Sequence, residues 1–268
     1  MLGDGLRVVL APNPGLMTGP GTNQYLLGVD GEAPLLMDAA VLDDENTRRL
    51  ADATSELAGM ILTHVHPDHV GGVSALRARF GITLAMHRSR ADFLIDGRPM
   101  APEQPLDDGD IVDYPGGSLM AVHTPGHESG HLCYFEPERR WLFTGDTILS
   151  TGTTVIAPPD GDMAAYLASL ARLRTLGATR IFPGHGPPIT DPDGAITEYI
   201  EHRELRERQV LEQLAHGTSV PEAMVPEIYP TLAPGLAWAA AATVRAHLAK
   251  LVSEGRARIT ADGRFVPG

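Results

Sequence analysis

The sequence predicts an α+β protein that ends in a small helical domain. Two observations support this fold class. Up to about residue 195, short apolar segments typical of strands alternate with segments whose apolar residues have helical spacing. From there on, three helical segments are followed by two short strands around a turn, which is a winged-helix arrangement. We therefore predict a first domain of residues 1–195 and a winged-helix domain of residues 196–268.

The strands of the first domain are short, apolar and bounded by turn residues. Asp30 and Gly31 predict a hairpin between the second and third strands, because this residue pair fits the tight turn that joins antiparallel strands. The predicted strands are Leu6–Ala11, Tyr25–Gly28, Leu35–Asp38, Met60–Thr63, Ile82–Met86, Ile111–Tyr114, Leu119–His123, His131–Phe135, Trp141–Thr144 and Ile181–Phe182.

Helices are predicted where apolar residues recur every three or four positions. A short helix is expected after Ser219, because Ser219 and Glu222 have the spacing of a capping box, and Pro226 makes it irregular. Gly255 ends the last helix. The longer predicted helices are Asp44–Ala58, Val70–Phe80, Asp162–Leu176, Ile196–His216 and Leu236–Ser253, and the wing strands are Ala257–Thr260 and Arg264–Val266.

The composition is that of a protein with a buried core and without a membrane span. The 268 residues are 43% hydrophobic, and no stretch approaches the ~18 consecutive apolar residues that a membrane helix needs. Residues 1–15 lack a basic segment followed by an apolar one, so no secretory signal is expected. Cys133 is the only cysteine, which excludes an internal disulfide and a metal site made of thiolates. These features predict a cytoplasmic protein.

The charge distribution bears on the substrate. The formal net charge is −13, and residues 1–195 contribute 13 basic and 25 acidic side chains. An acidic protein does not attract nucleic acid in general, so RNA binding would need a local basic surface. The last 24 residues offer one, because five basic side chains there oppose two acidic ones. Only one of the 21 basic residues is lysine, and Ala, Gly and Pro are abundant. This composition indicates that the coding gene is GC-rich and that the protein is bacterial.

A run of histidine and aspartate follows the predicted strand Met60–Thr63 and begins a helix. His64, His66, Asp68 and His69 lie within six residues, and neutral imidazole and carboxylate are good zinc ligands. His64 and His66 can converge on one ion, while Asp68 and His69 can face a second ion. A solvated loop with scattered histidines is the alternative, but a chance match is on the order of one in a thousand.

Further ligands are expected at the ends of other strands. His127, Asp146 and His185 each follow a predicted strand and lie beside a glycine, which lets the backbone approach a ligand closely. Taken alone, each would be an ordinary loop residue, but their common setting makes them candidates. His123 and His131, on either side of His127, are predicted to be structural or to contact a ligand rather than to bind metal themselves.

The order of these seven residues resembles the metallo-β-lactamase fold superfamily. The resemblance covers residues ~15–190 and implies an αββα sandwich with a dinuclear site at one edge. In that pattern, His64, His66 and His127 hold one metal ion, Asp68, His69 and His185 hold the other, and Asp146 bridges both together with a water or hydroxide. Asp38 resembles the superfamily's carboxylate that orients a ligand histidine, with a turn cap as the alternative.

The implied cofactors are two Zn²⁺ ions, with Mn²⁺ or Fe²⁺ as alternatives. Zinc lowers the pKa of a bound water to about 7, so a bridging hydroxide is available as the nucleophile. Asp68 lies beside that position in the pattern and is the candidate catalytic residue for moving its proton. The alternative is that Asp68 acts only as a ligand.

Departures from the pattern narrow the choice among the branches of the superfamily, and the last of those below is excluded. True metallo-β-lactamases commonly have cysteine where Asp146 stands, and flavodiiron proteins have an acidic residue where His66 stands. The large RNA-processing nucleases insert a domain between the positions of Asp146 and His185, but only 38 residues separate them here.

Two branches remain. The chain is similar to glyoxalase II, a thioesterase, and is more similar to the β-lactamase-like protein 2 family, reported as metal-dependent endoribonucleases. The segments that resemble the second family are Asn13–Thr18, Gly21–Leu26, Gly152–Val155, Pro183–Pro187 and Tyr199–Arg203. The predicted function is an endoribonuclease acting on single-stranded RNA, with hydrolysis of a small ester or thioester as the alternative.

A third hypothesis is a nucleic-acid-binding regulator with a structural metal site. A structural zinc site is closed and four-coordinate, whereas seven ligands around two ions favour catalysis. For RNA, Arg256 and Arg258 are candidate substrate-binding residues, because strand alternation places them on one face of the wing where guanidinium groups could bind phosphates. A solvated wing without a ligand is the alternative.

Overall fold

Two β-sheets packed face to face form the centre of the protein. The computed structural model describes residues 5–40, 44–95, 98–99 and 101–268. Its strands are β1 (Leu6–Leu10), β2 (Asn23–Leu27), β3 (Leu35–Met37), β4 (Gly59–Ile61), β5 (Leu84–His87), β6 (Leu94–Ile95), β7 (Arg98–Pro99), β8 (Gln104–Leu106), β9 (Ile111–Tyr114), β10 (Gly117–His123), β11 (Leu132–Glu136), β12 (Trp141–Gly145), β13 (Arg180–Pro183), β14 (Ala257–Ile259) and β15 (Phe265–Pro267).

Helices cover the outer faces of both sheets and form most of the C-terminal region. They are α1 (Asp44–Ala53), α2 (Pro67–Val70), α3 (Val73–Phe80), α4 (Met163–Thr175), α5 (Pro192–Ala215), α6 (Pro221–Ile228) and α7 (Ala237–Ser253), with short 3-10 helices at Arg88–Arg90 and Pro234–Leu236. Within the described residues, no helix has the length and apolar character needed to cross a bilayer.

The two central sheets differ in strand direction. The first has the order β1-β2-β3-β4-β5-β8, antiparallel from β1 to β3 and parallel from β3 to β8. The second has the order β13-β12-β11-β10-β9, and every pair of neighbouring strands in it is antiparallel except β12 and β13. In the second sheet β10, β12 and β13 therefore run in the same direction and end at the same edge.

The space between the sheets is filled by alternate residues of each strand. Tyr25 and Leu27 of β2 face the second sheet, whereas Leu26 between them packs with the helices on the other side. The rings of Phe143 and Phe182 lie 5.3 Å and 5.9 Å from that of Tyr25, in edge-to-face contact. This aromatic group joins the two sheets.

The layers are helix, sheet, sheet and helix. Leu50 of α1 and Leu76 of α3 are buried against the outer face of the first sheet. Tyr166 and Leu170 of α4, with Ile196 of α5, are buried against the outer face of the second. The predicted αββα sandwich is confirmed.

The C-terminal region is the predicted winged-helix domain. The second half of α5, α6 and α7 surround an aliphatic core, and β14 and β15 form an antiparallel wing. The N-terminal half of α5 packs on the second sheet while its C-terminal half contributes Val210 and Leu214 to the second core. The domain boundary predicted near residue 195 thus falls inside this helix.

Two predicted helices differ from the observed ones. The helix predicted over Val70–Phe80 begins at Val73, as α3, and the short helix α2 ends at Val70. The break arises because the amides of Gly71 and Gly72 donate to the carbonyls of Ala40 and Ala39. The helix predicted over Asp44–Ala58 ends at Ala53.

The predicted capping box at Ser219 is wrong. Helix α6 begins at Pro221, and its N-cap residue is Val220, which gives no side-chain cap. Proline is favoured at the first helical position, which sets the start of the helix there. The carbonyl of Ser219 instead accepts a hydrogen bond from the amide of Phe265 in the wing.

Candidate metal centre

The predicted ligands lie at one edge of the sandwich, beyond the carboxyl ends of four strands. The loop from His64 to His69 follows β4 of the first sheet, and α2 begins within it. His127, Asp146 and His185 follow β10, β12 and β13 of the second sheet. Because these strands end at the same edge, residues far apart in sequence meet there.

The ligand atoms form two groups. In the first, one ring nitrogen from each of three histidines lies within 4.8 Å of the others, and His66 Nδ1 is 2.9 Å from His127 Nε2. In the second, His185 Nε2 lies 3.3 Å from His69 Nε2 and 3.2 Å from Asp68 Oδ2. The first group is His64, His66 and His127, and the second is Asp68, His69, Asp146 and His185.

The carboxylate of Asp146 lies between the groups. Its Oδ1 is 3.3 Å from His69 Nε2 and 3.4 Å from His185 Nε2. Its Oδ2 is 3.9 Å from His127 Nε2, in the first group. One oxygen of this carboxylate thus faces each group, which is the arrangement a bridging ligand requires.

In three of these histidines the second ring nitrogen makes a hydrogen bond that orients the imidazole. His127 Nδ1 donates to the carbonyl oxygen of Val155 at 2.7 Å, and His185 Nδ1 donates to that of Gly21 at 3.2 Å. His69 Nδ1 lies 2.8 Å from the carboxylate of Asp38. In each case Nε2 is left for a metal ion, as is usual for metal-binding histidines.

Asp38 supports both groups. Its carboxylate contacts His69 and also accepts hydrogen bonds from the amide and hydroxyl of Thr63, at 2.8 Å and 2.9 Å. The Thr63 hydroxyl lies in turn 3.0 Å from His64 Nδ1. Asp38 has a φ of 64°, so its backbone is in the left-handed region.

The donor set fits a metal ion. The Nε2 atom of His64 is buried and has no hydrogen-bond partner among the described residues. Such an atom costs free energy unless something binds it, and it points to the same group as His66 and His127. Imidazole and carboxylate donors are those that Zn²⁺, Mn²⁺ and Fe²⁺ use.

The protonation states differ between the groups. Burial lowers the pKa of His64 well below its usual value and also lowers the pKa values of His66 and His127, so these rings are neutral. Burial acts in the same direction on His185, but contacts with two carboxylates outweigh it and raise its pKa to about 9. A metal ion bound by the second group would therefore displace protons.

Two glycines let the loops approach closely. A Cβ atom at Gly184 would lie 2.7 Å from Asp146 Oδ1 and 2.8 Å from His69 Cε1. Gly145 has a φ of 46°, and a Cβ there would lie 2.7 Å from the Thr63 side chain. Both positions exclude larger residues, as the sequence pattern of glycine beside each ligand indicated.

Thr63 lies beside the centre and was not predicted to have a role there, although its position directly before His64 was the available signal. The two histidines on either side of His127 were predicted not to be ligands. His131 is buried, and its Nε2 accepts a hydrogen bond from the amide of Asp146 at 3.3 Å. His123 instead stacks on His87, with ring centroids 4.3 Å apart, and is in neither ligand group.

The wing arginines are not part of either ligand group. Arg256 forms ion pairs with Glu207 at 2.6 Å and with Glu254 at 3.2 Å. Arg258 is exposed, and its Nε donates to the carbonyl of Pro267 at 3.3 Å. A substrate-binding role for the two residues stays a prediction.

Comparison with protein families gives two matches. Residues 17–185 match the metallo-beta-lactamase superfamily, and residues 221–264 match the beta-lactamase associated winged helix domain. The first match includes all seven ligand positions.

Comparison with individual proteins identifies relatives of differing length. A beta-lactamase-like protein 2 homolog from Caenorhabditis elegans is 36% identical over 220 residues, 80% of this chain and 72% of the relative. An atrochrysone carboxyl ACP thioesterase from Cryptosporiopsis sp. is 32% identical over 219 residues, 81% of this chain and 65% of the relative. The lactamase-like protein nscB from Arthroderma benhamiae is 37% identical over 210 residues, which are 77% of this chain. The match spans only 45% of the length of that relative.

Two solved structures are also similar. The metallo-beta-lactamase family protein TTHA1429 from Thermus thermophilus has a TM-score of 0.82 at 23% identity, covering 98% of this chain and 99% of its own. TTHA1623 in a di-iron-bound form has a TM-score of 0.55 at 30% identity, covering 67% of this chain and 93% of its own. The two family matches and the relatives show that the chain belongs to the metallo-β-lactamase superfamily and has a C-terminal β-lactamase-associated winged-helix domain.

Proposed function

We propose that this protein is a hydrolase with a dinuclear metal centre and that its substrate is an ester or thioester. The observation that best supports the centre is the arrangement of the histidines. The outer nitrogens of four of them, His64, His69, His127 and His185, are occupied by hydrogen bonds, while the inner nitrogens converge in two groups on either side of Asp146. A buried histidine cluster that served only the fold would not leave His64 Nε2 without a hydrogen-bond partner among the described residues.

The chain supplies a complete set of ligands for two ions. Two divalent cations would supply Lewis acidity and lower the pKa of a water molecule between them. We assign Zn²⁺ to both positions, with Mn²⁺ or Fe²⁺ as alternatives, because the donors are imidazole and carboxylate. The residues that would hold the first ion are His64, His66 and His127, those for the second are Asp68, His69 and His185, and Asp146 would bridge.

Asp68 has a second role in this proposal. Its side chain is 28% exposed, against 14% for Asp146, so water and substrate can reach it more easily. Contacts with the His185 and His69 side chains outweigh the effect of burial and lower the pKa of Asp68, so the carboxylate is ionised at neutral pH. An ionised carboxylate at the open side of the centre can accept a proton from the attacking water.

The surface charge favours a substrate with few negative charges. Four of the five basic side chains that reverse the charge of the C-terminal segment are bound to acidic ones. Lys250 pairs with Glu207 at 2.7 Å and Arg256 with the same carboxylate at 2.6 Å. The other two pairs are Arg245–Glu222 and Arg264–Asp262. Paired guanidinium groups are less available to phosphates, and a thioesterase among the relatives is consistent with a thioester substrate.

Single-stranded RNA is the second candidate substrate. The winged helix supports it, because Arg258 is exposed and outside the ion pairs of the described residues. A dinuclear metal centre can also catalyse the hydrolysis of a phosphodiester bond.

A substrate panel tests the proposal. Protein loaded with Zn²⁺ would be assayed with an acyl thioester of N-acetylcysteamine, an aryl ester, a single-stranded RNA and bis(p-nitrophenyl) phosphate. We expect thioester or ester hydrolysis that EDTA abolishes and Zn²⁺ restores. Cleavage of RNA without ester or thioester hydrolysis would overturn the substrate assignment, and inactivity on all four with no bound metal would overturn the hydrolase itself.

A further inference from the structure

The segment Tyr199–Arg203 of α5 lies next to the loop of residues 146–156, which contains Asp146 and whose backbone orients His127. The hydroxyl of Tyr199 accepts a hydrogen bond from the amide of Leu149 at 2.8 Å. Four residues further along the helix, Arg203 Nη2 donates to the carbonyl of Thr154 at 2.5 Å. Helix α5 thus holds this loop at two points one turn apart.

Thr154 connects Arg203 to the bridging ligand. Its hydroxyl donates to the carbonyl of Asp146 at 2.8 Å, within the same loop. The next carbonyl, that of Val155, accepts the hydrogen bond from His127 Nδ1 at 2.7 Å. Fixing the Thr154 backbone therefore fixes the position of Asp146 and the orientation of His127 together.

Arg203 is an unusual residue to find in this place. It is 1% exposed, and no acidic side chain among the described residues forms an ion pair with it. Its guanidinium stacks over the ring of Tyr166, 5.3 Å from the centroid, and its Nε has no hydrogen-bond partner in the described part of the chain. Burying an unpaired cation costs free energy, and an apolar side chain of similar size would be no less stable.

We infer that Arg203 is a positioning residue for the metal centre, through the carbonyl of Thr154. It acts on the ligand that bridges the two groups and on one ligand of the first group, although it belongs to the helix that leads into the C-terminal domain. The inference rests on the proposed dinuclear centre. It assigns a role to the Tyr199–Arg203 segment, none of whose residues is a candidate metal ligand.

The test is the affinity for metal of the full-length Arg203→Met variant, measured by competition with a chromogenic chelator. Partners behind metal ligands typically change affinity 10–100-fold, so a loss of about that size is expected. The absorption spectrum of the Co²⁺-loaded protein should change as well, because the geometry around the bridging ligand relaxes. Arg203→Lys should restore part of the affinity, since an ammonium group can still donate to the Thr154 carbonyl.

Arg206→Met is the matched control on the same helix. Arg206 stacks on Tyr229 at 4.3 Å and donates to the carbonyl of Ile228 at 2.7 Å, within the C-terminal core. We expect its removal to lower the melting temperature without changing metal affinity or the Co²⁺ spectrum. Equal losses of affinity in both variants would mean that Arg203 serves only stability, and would overturn the inference.

Thr154→Val provides an independent test if Arg203→Met does not fold. It keeps the shape of the buried side chain and removes the hydrogen bond to the Asp146 carbonyl. Its metal affinity should fall, and unchanged affinity together with an unchanged Co²⁺ spectrum would overturn the inference. Wild-type protein that fails to bind two metal ions would instead contradict the proposed centre, so the two failures are distinguishable.

Discussion

Asp38 links the loops of the candidate metal centre without being a candidate ligand itself. Its carboxylate contacts His69 and Thr63, and Thr63 contacts His64. We predict that Asp38→Asn lowers metal affinity about 10–100-fold, because the amide replaces an acceptor of the His69 proton. Asparagine tolerates the left-handed backbone at this position, so the fold should survive.

The measurement is chelator competition on Asp38→Asn and on Asp113→Asn. Asp113 is exposed on β9 and lies outside the metal centre, so the second variant should bind metal as the wild type does. Equal affinities in Asp38→Asn and wild type would contradict the orienting role.

Gly184 gives a steric test of the same centre. A Cβ atom there would lie within 2.8 Å of both Asp146 and His69, so Gly184→Ala should displace a ligand and reduce the bound metal at both positions. Gly59→Ala is the control, because the nearest atoms to its added Cβ are 3.5 Å away. Metal analysis after gel filtration checks this, and full occupancy in Gly184→Ala would show that the loops are positioned differently.

The convergence of the candidate ligands could be predicted from the sequence because these residues share one local pattern. A strand precedes each of them and a glycine lies nearby, and the pattern of the His64–His69 run is dense enough to stand out. The carbonyl groups of Val155 and Gly21 could not be predicted, since any residue offers a carbonyl. Arg203 was visible only as part of a resemblance, because its partner Thr154 is 49 residues away in sequence.

At the scale of elements, apolar spacing was a good guide to strands and a weaker guide to helix ends. Strand β9 has the predicted bounds. The break between α2 and α3 results from hydrogen bonds to residues 39 and 40, and such contacts with another segment leave no mark in local spacing. The start of α6 follows from Pro221, which outweighs the spacing of Ser219 and Glu222.

The sequence predicts that the wing binds RNA through Arg256 and Arg258, but in the structure Arg256 is already engaged in ion pairs. If RNA is a substrate, changing Arg256 and Arg258 together to Ala should weaken RNA binding and reduce the slope of its salt dependence by about one for each phosphate-binding side chain removed. Because Arg256 is paired with Glu207 and Glu254, we expect the slope to change by less than about two. Filter binding at several salt concentrations measures it.

Hydrolysis of a small phosphodiester or thioester should be unaffected by the same double variant. A parallel loss of both activities would show that the wing maintains the fold of the catalytic domain. A slope unchanged from wild type would show that the wing does not bind RNA.

Helix α7 contains a buried histidine that makes stability depend on pH. Burial, followed by the charges of Arg203 and Lys250, lowers the pKa of His247 to about 3, while Glu207 lies 4.0 Å from its Nδ1. Unfolded His247 binds a proton near pH 6.5, whereas the folded form stays neutral. Keeping His247 neutral therefore costs no stability above about pH 6.5. Below that pH the unfolded chain gains a proton that the folded protein does not, so the free energy of unfolding falls as the pH falls toward about 3.

We predict that His247→Leu reduces this acid sensitivity. Between pH 7 and pH 5 the wild type should lose about 2 kcal/mol more unfolding free energy than the variant, from about 1.4 kcal/mol per pH unit below the unfolded pKa. Urea denaturation of metal-free protein at both pH values checks it. The same pH dependence in both proteins would show that His247 is solvated.

At the scale of the whole molecule, the centre depends on the sandwich and on the helix that leaves it. The two sheets bring four strand ends to one edge, and α5 then holds the loop of residues 146–156 before it enters the C-terminal core. The sequence allowed the order of these elements to be predicted. The sequence did not show that α5 contributes to both hydrophobic cores, because one apolar stripe along a helix does not indicate which elements each turn packs against.

The central claim is that one carboxylate joins two metal positions. The most direct measurement is the metal content of purified wild type and of Asp146→Ala by inductively coupled plasma mass spectrometry, with folding checked by circular dichroism. The structure predicts close to two ions per chain in the wild type, and loss of metal from both positions together with loss of hydrolysis in the variant. An Asp146→Ala protein that keeps the wild-type metal content would contradict the account.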